Sequence, residues 1–371
     1  MIIAGEASGD MHGARLVREM LKINPALNFY GIGGNKLRDE GVELLADASE
    51  MAVVGLTEAV ARLGSLLKIM TTMKKSLDER RPDLVILIDY PDFNLSIAKA
   101  ASKRGIKVLY YISPQVWAWR KGRIGKIKKT VNQMAVILPF EVETYRQEGV
   151  TVNYVGHPLL DIVETGSSRQ DLRKKFGLAE AGITIGILPG SRLAEINKLL
   201  PELLRAAEIL KKEIPDVQFV LPLADTLTEE DVRHIMSRFN VGVEIISGQT
   251  YDVISCADLA LVASGTATLE VALLKIPMII VYKVSLLSYV VGRLIVDVKN
   301  IGLVNIVAGK TIVPELLQRD ANGERIASEA LAILKNGERK KEMIRDLDII
   351  RAKLGDPGAA IRTAKLALDM L

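Results

Sequence analysis

The stretch LVILIDYPDFN, residues 84–94, contains the pattern that decides the fold. The uninterrupted apolar run Leu84–Ile88 predicts a strand buried on both faces, as the central strands of parallel sheets are. The run ends at Asp89, and Tyr90 precedes a proline, which disfavours the helical conformation at Tyr90. Asp89 is therefore expected at the carboxyl edge of a parallel sheet, where α/β proteins bind ligands. On spacing alone, capping of the following helix is an equally good interpretation of Asp89.

Length and composition limit the class of protein. The chain has 371 residues, of which 49% are hydrophobic and 25% charged, which is typical of folded globular proteins. This length exceeds what one compact core usually holds, so we expect two domains. The single cysteine, Cys256, excludes a disulfide framework and favours a reducing compartment. The first residues lack the features of a secretory signal, and no apolar run reaches the roughly 18 residues of a membrane span.

Short apolar runs alternate with amphipathic helical segments along the chain, which predicts an α/β fold with parallel sheets. The alternation forms two successive arrays with a junction near residues 156–168, and this favours two Rossmann-like domains that face each other. The C-terminal segments 322–335, 337–353 and 357–370 are predicted helices. The predicted strands are 2–4, 28–31, 42–45, 84–89, 107–112, 134–138, 152–155, 184–188, 217–222, 243–246, 259–263, 278–282 and 303–307, with the weakest patterns at 42–45 and 303–307.

The first predicted strand runs into a loop of small residues, GEASGDMHG at 5–13, which is followed by a helix. Small residues allow the backbone to approach a ligand, and a helix N-terminus offers free N–H groups. The glycine spacing matches neither the dinucleotide fingerprint nor a P-loop. The acids Glu6 and Asp10 favour sugar hydroxyls or a polar acceptor over phosphate, and a simple tight turn is the alternative interpretation.

Residues 51–77 predict a helix that is apolar over much of its circumference. The expected core face is a stripe at helical spacing, formed by Leu56, Val60, Leu63, Leu67 and Met70. Further apolar residues lie largely off that stripe, among them Val53, Leu66, Ile69 and Met73. Such a helix is either packed on several sides or in contact with lipid, and the residues alone favour a buried helix.

Residues 113–129 combine aromatic and basic side chains. Trp117 and Trp119 lie here, and Arg120 begins a run of six basic residues within ten positions without an acid. This patch is a solvated helix face, a nucleic-acid contact or an anchor on anionic lipid. Nucleic acid is disfavoured, because the net charge of +4 is small and the sequence contains no recognisable nucleic-acid-binding module.

Two loops in the second half combine hydroxyl groups with helix starts. The strand ending at Leu188 leads into Pro189-Gly190-Ser191-Arg192, and a guanidinium beside helix N–H groups suits a diphosphate. The strand 259–263 leads into SGTATLE at 264–270, whose hydroxyl and N–H groups also suit an anion, while Glu270 is placed to reach ribose hydroxyls. Helix capping explains either loop alone, but the occurrence of both in one half favours a ligand site.

The three histidines are not expected to form a metal site. His12 and His157 lie in motif loops, His234 lies in a polar helix, and no two of them have a metal-ligand spacing. His157, in Gly-His-Pro at the domain junction, is interpreted as a hinge or packing residue, and His12 as a candidate for the acceptor side.

Nine ordered motifs together resemble the lipid-A-disaccharide synthase family of inverting GT-B glycosyltransferases. The resemblance extends from Gly5 almost to the C-terminus. Its carriers are AGEASGD (4–10), VVGLTE (53–58), IDYPDFN (88–94), SPQVWAWR (113–120), LPFE (138–141), VGHP (155–158), LPGSR (188–192), ASGTATLE (263–270) and VPELLQ (313–318).

The resemblance implies a GT-B fold with two Rossmann-like domains and a cleft between their parallel sheets. Residues 1–162 would bind the acceptor, residues 163–354 would bind the UDP-sugar, and a helix at about 355–371 would pack back on the first domain. The implied reaction transfers 2,3-diacylglucosamine from UDP to 2,3-diacylglucosamine 1-phosphate, giving UDP and the β-1,6 disaccharide 1-phosphate of lipid A. The family implies no metal and no cofactor.

The resemblance also implies a role for individual residues. Asp89 is the expected general base, because inversion needs a group that removes the proton of the attacking hydroxyl. The expected UDP contacts are Ser191, Arg192, Ser264, Gly265, Thr266, Ala267, Glu270 and Asn305. The expected acceptor or sugar contacts are Glu6, Ser8, Asp10, His12, Trp117 and Arg120. The expected membrane or acyl-chain contacts are Val53, Leu66, Ile69 and Met73.

The family further implies a cytoplasmic protein attached peripherally to an anionic inner-membrane surface, with oligomerisation possible and no nucleic-acid partner. Two alternative classes of function remain open at this point. One is another UDP-sugar transferase or epimerase of the same fold, and the other is a two-domain protein that binds a nucleotide sugar without catalysis. An epimerase would need its own acid and base residues, which the motifs do not match.

Overall fold

The computed structural model describes residues 1–51, 56–114, 122–164, 166–283 and 300–371, with the side chains of 56–63 excluded. The chain divides into two compact units. Unit 1 comprises Met1–Asp161 and Leu354–Leu371, and unit 2 comprises Ile162–Lys353. Within the described ranges, no helix is long and apolar enough to cross a bilayer.

Unit 1 is built on a seven-stranded parallel sheet. Its strands are β1 (Ile2–Ala4), β2 (Tyr30–Gly33), β3 (Glu43–Asp47), β4 (Leu84–Ile88), β5 (Lys107–Tyr111), β6 (Gln133–Val136) and β7 (Val152–Tyr154), in the order β3-β2-β1-β4-β5-β6-β7. All residues of β4 are buried, as the apolar run predicts. The helices are α1 (Ala7–Ile23), α2 (Asn35–Asp39), α3 (Leu56–Glu79), α4 (Pro91–Ser102), α5 (Gly122–Thr130) and α6 (Pro139–Gln147).

Unit 2 repeats this arrangement with six parallel strands. They are β8 (Thr184–Leu188), β9 (Gln218–Leu223), β10 (Glu244–Ser247), β11 (Leu259–Ala263), β12 (Met278–Tyr282) and β13 (Glu315–Leu317), in the order β10-β9-β8-β11-β12-β13. The described helices are α7 (Arg169–Lys175), α8 (Leu193–Glu213), α9 (Glu229–Met236), α10 (Thr250–Ser255), α11 (Ala267–Leu273), α12 (Leu303–Ala308), α13 (Gly323–Leu334) and α14 (Gly337–Lys353). The predicted α/β class with two parallel sheets is confirmed.

The last helix, α15 (Ala359–Leu368), belongs to unit 1 and packs against α1. The Arg362 Nε donates to the carbonyl oxygen of Val155 at 2.8 Å, and the backbone N–H of Gly358 donates to the Asp161 carboxylate. The chain therefore leaves unit 1 after its seventh strand and returns to it at the end.

The predicted strand at 303–307 is wrong. Residues 303–308 form helix α12, whose Val304 and Val307 are buried, and the last strand of the sheet is β13 instead. The segment LVNIV, with four apolar residues around Asn305, is compatible with a short helix as well as with a strand. The sequence does not predict β13, because Glu315 follows Pro314 and leaves only two apolar residues in this strand.

Helix α3 buries a different face from the predicted one. Ile69, Met73 and Leu77 lie in the core of unit 1, whereas Leu67, expected in the core, is 59% exposed. Ile69 and Met73 are therefore not lipid contacts, and that prediction is wrong. Leu66 is partly buried against the same core, and Val53 lies outside the described residues. Apolar residues surround much of this helix, so periodicity did not identify the side that packs on the sheet.

Candidate active site

Each sheet has a switch point, where the strand order reverses between two neighbouring strands. In unit 1 these strands are β1 and β4, and in unit 2 they are β8 and β11. Ligands of open α/β sheets bind beyond the carboxyl ends of such strands. The loops that follow these four strands, together with the starts of the helices after them, contain most of the predicted site residues, with Asp89 following β4 and Arg192 following β8.

Asp89 and Tyr90 both adopt left-handed backbone conformations, with φ of +47° and +44°. Such conformations are uncommon for residues other than glycine and cost free energy. The Tyr90 hydroxyl donates to the carbonyl oxygen of Met51 at 2.8 Å, and its ring lies across the loop that follows β1. A Cβ at Gly5 would approach Tyr90 Cγ to 2.6 Å, so this position requires glycine. The turn therefore places a partly buried carboxylate at the switch point of unit 1.

Glu6 and Ser8 lie at the start of α1, just after β1, and β1 is the neighbour of the strand β4 that Asp89 follows. Glu6 is partly buried and Ser8 is exposed, so both are accessible to a ligand. Their position at the same sheet edge as Asp89 agrees with a polar acceptor site there.

Asp10 is not available to an acceptor, which corrects the prediction for this residue. Its carboxylate accepts the backbone N–H groups of Gly34, Lys36 and Leu37 at 2.7, 3.1 and 3.1 Å, and Asp10 is only 6% exposed. The carboxylate thus satisfies the free donors at the start of α2. These partners lie 24–27 residues further along the chain, so spacing within the loop did not reveal them.

His12 and His157 are both buried in unit 1, and burial disfavours the protonated form of each. Burial, with the charges of Arg15 and Lys36, lowers the pKa of His12 to about 4. Burial, with His12 nearby, lowers the pKa of His157 to about 3. His12 is 7% exposed and so does not line an acceptor site, contrary to prediction. His157 accepts the Leu159 backbone N–H through Nδ1 at 3.2 Å, which agrees with a packing role.

The predicted contacts Trp117 and Arg120 lie outside the described residues. The segment just before them is held by a buried acid, Glu141, whose role the sequence pattern does not indicate. Glu141 accepts the Ser113 hydroxyl at 2.6 Å and the Leu138 backbone N–H at 3.1 Å. The signal for Glu141 was the LPFE motif, which places a glutamate at the third position of α6.

The loop after β8 presents a cation at the start of a long helix. Arg192 directly precedes the 21-residue helix α8, and its side chain is 62% exposed. The guanidinium forms a 3.2 Å hydrogen bond with Glu195 in the first turn. Gly190 has φ of +110°, and a Cβ there would collide with the Glu195 carboxylate. The loop therefore combines a positive side chain with the free N–H groups of a helix start.

The loop after β11 is a second glycine turn. Gly265 has φ of +156°, and its carbonyl oxygen accepts the hydroxyl of the buried Thr268 at 2.8 Å. Ser264, Gly265, Thr266 and Ala267 lead into α11 beyond the strand that neighbours β8. Glu270 is partly buried, burial raises the pKa of its carboxyl, and it accepts the Tyr251 hydroxyl at 3.3 Å.

Asn305 has a structural role and no exposed surface, so its predicted contact with a nucleotide is wrong. Its amide oxygen accepts the backbone N–H groups of Ile312 and Val313 at 2.8 and 3.1 Å. Its amide nitrogen donates to the Val313 carbonyl oxygen at 2.9 Å and to Glu315 at 2.7 Å. Asn305 therefore ties α12 to the segment that enters β13.

Among the residues that the structure describes, no group of three or more His, Cys, Asp or Glu side chains is arranged to hold a metal ion. The described groups at the two switch points are carboxylates, hydroxyls, a guanidinium and backbone N–H groups.

A family model described as lipid-A-disaccharide synthetase matches residues 1–358. The lipid-A-disaccharide synthase of Syntrophus aciditrophicus is 56% identical to this chain over 372 residues, covering 100% of the chain and 97% of that protein. The lipid-A-disaccharide synthase of Geobacter sulfurreducens is 47% identical over 371 residues, with the same two coverages.

Solved structures with the same fold are much more distant in sequence. A putative UDP-N-acetylglucosamine 2-epimerase from Listeria monocytogenes superposes with a TM-score of 0.66 at 15% identity, covering 100% of this chain and 95% of that one. MurG from Acinetobacter baumannii superposes with a TM-score of 0.62 at 16% identity, covering 100% and 98%. At these identities the likeness concerns the fold alone, and the fold is that of GT-B glycosyltransferases and related epimerases.

Proposed function

The chain belongs to the lipid-A-disaccharide synthase family, and we propose that it transfers 2,3-diacylglucosamine from UDP to the 6-hydroxyl of 2,3-diacylglucosamine 1-phosphate. The products are UDP and the β-1,6-linked, tetra-acylated disaccharide 1-phosphate. The observation that carries the chemical part of this proposal is the carboxylate of Asp89, held in a left-handed turn at the switch point of unit 1.

Asp89 acts as the general base. Its carboxylate removes the proton of the acceptor 6-hydroxyl while the hydroxyl oxygen attacks the anomeric carbon from the face opposite UDP. The bond from that carbon to the diphosphate oxygen breaks, its electron pair leaves with UDP, and the configuration inverts. Glu6 and Ser8, at the neighbouring strand end, bind polar groups of the acceptor.

Unit 2 binds the UDP moiety. The exposed guanidinium of Arg192 and the free N–H groups of α8 neutralise the negative charge that grows on the leaving diphosphate. The Ser264–Ala267 turn offers further N–H and hydroxyl donors, and Gly190 allows close approach of the backbone. Glu270 accepts hydrogen bonds from the ribose hydroxyls.

A lipid substrate requires access to a membrane surface, and we extend the proposal to peripheral attachment at the cytoplasmic face of an anionic membrane. Helix α5 exposes Lys126, Lys128 and Lys129, and Leu67 is exposed beside Lys68 on α3. Lysines attract anionic lipid at roughly 1 kcal/mol each, and an exposed leucine adds apolar contact. Trp117 and Arg120 belong by sequence to the same basic, aromatic segment.

The base assignment is tested with Asp89→Asn, which keeps the shape of the side chain and removes its basicity. We expect kcat for UDP release, with diacylated donor and acceptor, to fall by about 10²- to 10⁴-fold, with UDP binding unchanged. The matched control is Asp92→Asn, because Asp92 lies three residues further on and its exposed carboxylate pairs with Arg123. That variant should retain its turnover.

The complementary variant, Arg192→Ala, should weaken UDP binding by about ten- to a hundredfold. Its control is Arg205→Ala, which removes another exposed arginine of α8, one that pairs with Glu202. Full turnover in Asp89→Asn would eliminate Asp89 as the base. If the wild-type chain binds UDP but releases none from the diacylated donor, the chain is a nucleotide-sugar-binding protein without transferase activity.

A further inference from the structure

The peptide carbonyl of Asp89 is held by two buried side chains. The Tyr110 hydroxyl donates to it at 2.6 Å, and Asn94 Nδ2 donates to it at 2.7 Å. Asn94 Nδ2 also reaches the carbonyl oxygen of Ile88, at 3.1 Å. Both Tyr110 and Asn94 are fully buried. A carbonyl oxygen has two lone pairs, so these two donors fill its hydrogen-bonding capacity.

These donors fix the direction of a strained turn. The Asp89 carbonyl belongs to the peptide bond between Asp89 and Tyr90. The orientation of this peptide plane sets ψ of Asp89 and φ of Tyr90, and both residues are left-handed. Two consecutive non-glycine residues in this conformation cost on the order of 1–3 kcal/mol each and persist only where their surroundings hold them. Released from its two donors, the turn would relax towards the extended conformation and redirect the Asp89 side chain.

Asn94 supports the carbonyl at a cost to itself. Its amide nitrogen serves the two carbonyl oxygens, and its buried Oδ1 has no hydrogen-bond partner among the described residues. A buried acceptor without a partner is destabilising. Asn94 therefore does not have its most stable hydrogen-bonding arrangement. This favours a functional role for its orientation over a role in packing alone.

We propose that Tyr110 and Asn94 are positioning residues for the transfer reaction: by clamping the Asp89 carbonyl in the left-handed turn, they aim the Asp89 carboxylate at the hydroxyl that it deprotonates. This inference rests on the proposed role of Asp89 as the base. Neither side chain contacts the reacting atoms, and both act through the backbone of Asp89.

The chain contains a matched control in the next residue of the same strand. Tyr110 and Tyr111 are consecutive on β5, are buried to the same degree and point to opposite faces of the sheet. Burial raises the pKa of both phenols. The Tyr111 hydroxyl lies near Thr363 of α15, away from Asp89. Replacement of either tyrosine by phenylalanine removes one buried hydroxyl and keeps the ring.

The experiment measures kcat and both KM values for Tyr110→Phe and Tyr111→Phe in the full chain, normalised to the number of UDP-binding sites. Melting temperatures are recorded in parallel. We expect both variants to lose similar thermal stability. We expect kcat of Tyr110→Phe to fall by about ten- to a hundredfold with KM within about threefold, because a misplaced catalytic group costs rate at saturating substrate. In Tyr111→Phe, kcat per site should stay within about twofold.

Asn94→Ser removes the side-chain amide that is the other donor to the Asp89 carbonyl and so tests the proposal independently of Tyr110. It should also lower kcat per UDP-binding site without raising KM. The positioning role is refuted by two results together. The first is that Tyr110→Phe loses no more kcat per site than Tyr111→Phe does, and the second is that Asn94→Ser retains full kcat per site. In that case an inactive Asp89→Asn leaves the base assignment intact, whereas an active Asp89→Asn removes the proposed function itself.

Discussion

The switch-point loops of the two units occupy the same place in the same topology and are built from different residues. In unit 1 the turn after β4 uses Asp89 and Tyr90, two residues with side chains in a conformation that favours glycine. In unit 2 the loops after β8 and β11 turn at Gly190 and Gly265. The loop after β4 in unit 1 fixes the direction of one side chain, that of Asp89. The two loops in unit 2 expose backbone N–H groups.

The difference corresponds to two kinds of chemistry. A general base needs a fixed direction, and the strain at Asp89 is opposed by the hydrogen bonds on its carbonyl and by the packing of Tyr90 on Gly5. A diphosphate site needs close approach of the backbone, which a side chain would obstruct. Strain at one edge and glycine at the other are therefore alternative ways of building a site at the same topological position.

The largest expected effect distinguishes the units by their response to acid. Unit 1 holds the buried His12 and His157, whereas His234 of unit 2 is exposed. Folding lowers the pKa of His12 from 6.5 to about 4 and that of His157 to about 3. Well above pH 6.5 both histidines are neutral in the folded and in the unfolded state, and the free energy of unfolding is at its full value. As the pH falls from 6.5 towards 4, only the unfolded state binds the protons, so the free energy of unfolding decreases. Each histidine should cost about 2 kcal/mol at pH 5 relative to pH 8.

Urea denaturation of the wild type between pH 8 and pH 5 measures this loss. His12→Gln stays neutral throughout and should reduce the loss of stability between pH 8 and pH 5 by about 2 kcal/mol. The control is His234→Gln, which should retain all of it. An unchanged pH dependence in His12→Gln would mean that His12 is not the group that titrates.

The next effect tests the need for glycine in unit 2. Alanine at Gly190 would adopt an unfavourable φ and collide with Glu195, so Gly190→Ala should lower the free energy of unfolding by roughly 3 kcal/mol and weaken UDP binding. The control is Gly309→Ala, since Gly309 has φ of +75° and open space around its Cβ position. It should cost about 1 kcal/mol and leave UDP binding unaffected. Equal losses in urea denaturation would show that strain alone, without the collision, sets the cost.

The smallest expected effect tests the backbone strain at Asp89 in unit 1. Here the glycine variant should be more stable than the alanine variant, the same order as at Gly190. Asp89→Gly should raise the free energy of unfolding by about 1 kcal/mol over Asp89→Ala, because glycine adopts φ of +47° without penalty. Both variants should be inactive, so activity does not confound the comparison. Urea denaturation of the pair isolates the backbone term, and a less stable glycine variant would contradict stored strain at Asp89.

The sequence predicted the features that depend on local pattern. The apolar run before Asp89 identified β4, and the residue types around Arg192 and Ser264 identified the unit 2 loops, because strand, turn and helix start follow one another within a few residues. The motifs also led to the correct family.

The failures occur where tertiary contacts, and not the local pattern, decide the role of a residue. Asp10 and Asn305 are polar residues in motif segments, and their partners lie 7–27 residues away, where no local pattern indicates them. Ile69 and Met73 lie on a helix that is apolar on several sides, so periodicity could not tell the buried face. The sequence pattern indicates only that Tyr110 lies in a strand. It gives no sign that the Tyr110 hydroxyl donates to the carbonyl oxygen of Asp89.

The return of α15 to unit 1 has a consequence for the order of folding during synthesis. All of unit 2, Ile162–Lys353, leaves the ribosome before Leu354–Leu371, which unit 1 needs to cover α1. The sheet of unit 1, whose last strand ends at Tyr154, can form before unit 2 is translated, but the α15-facing side of α1 and the Asp161 carboxylate wait for their partners until unit 2 has been made. The unit that is translated first is the last to be completed.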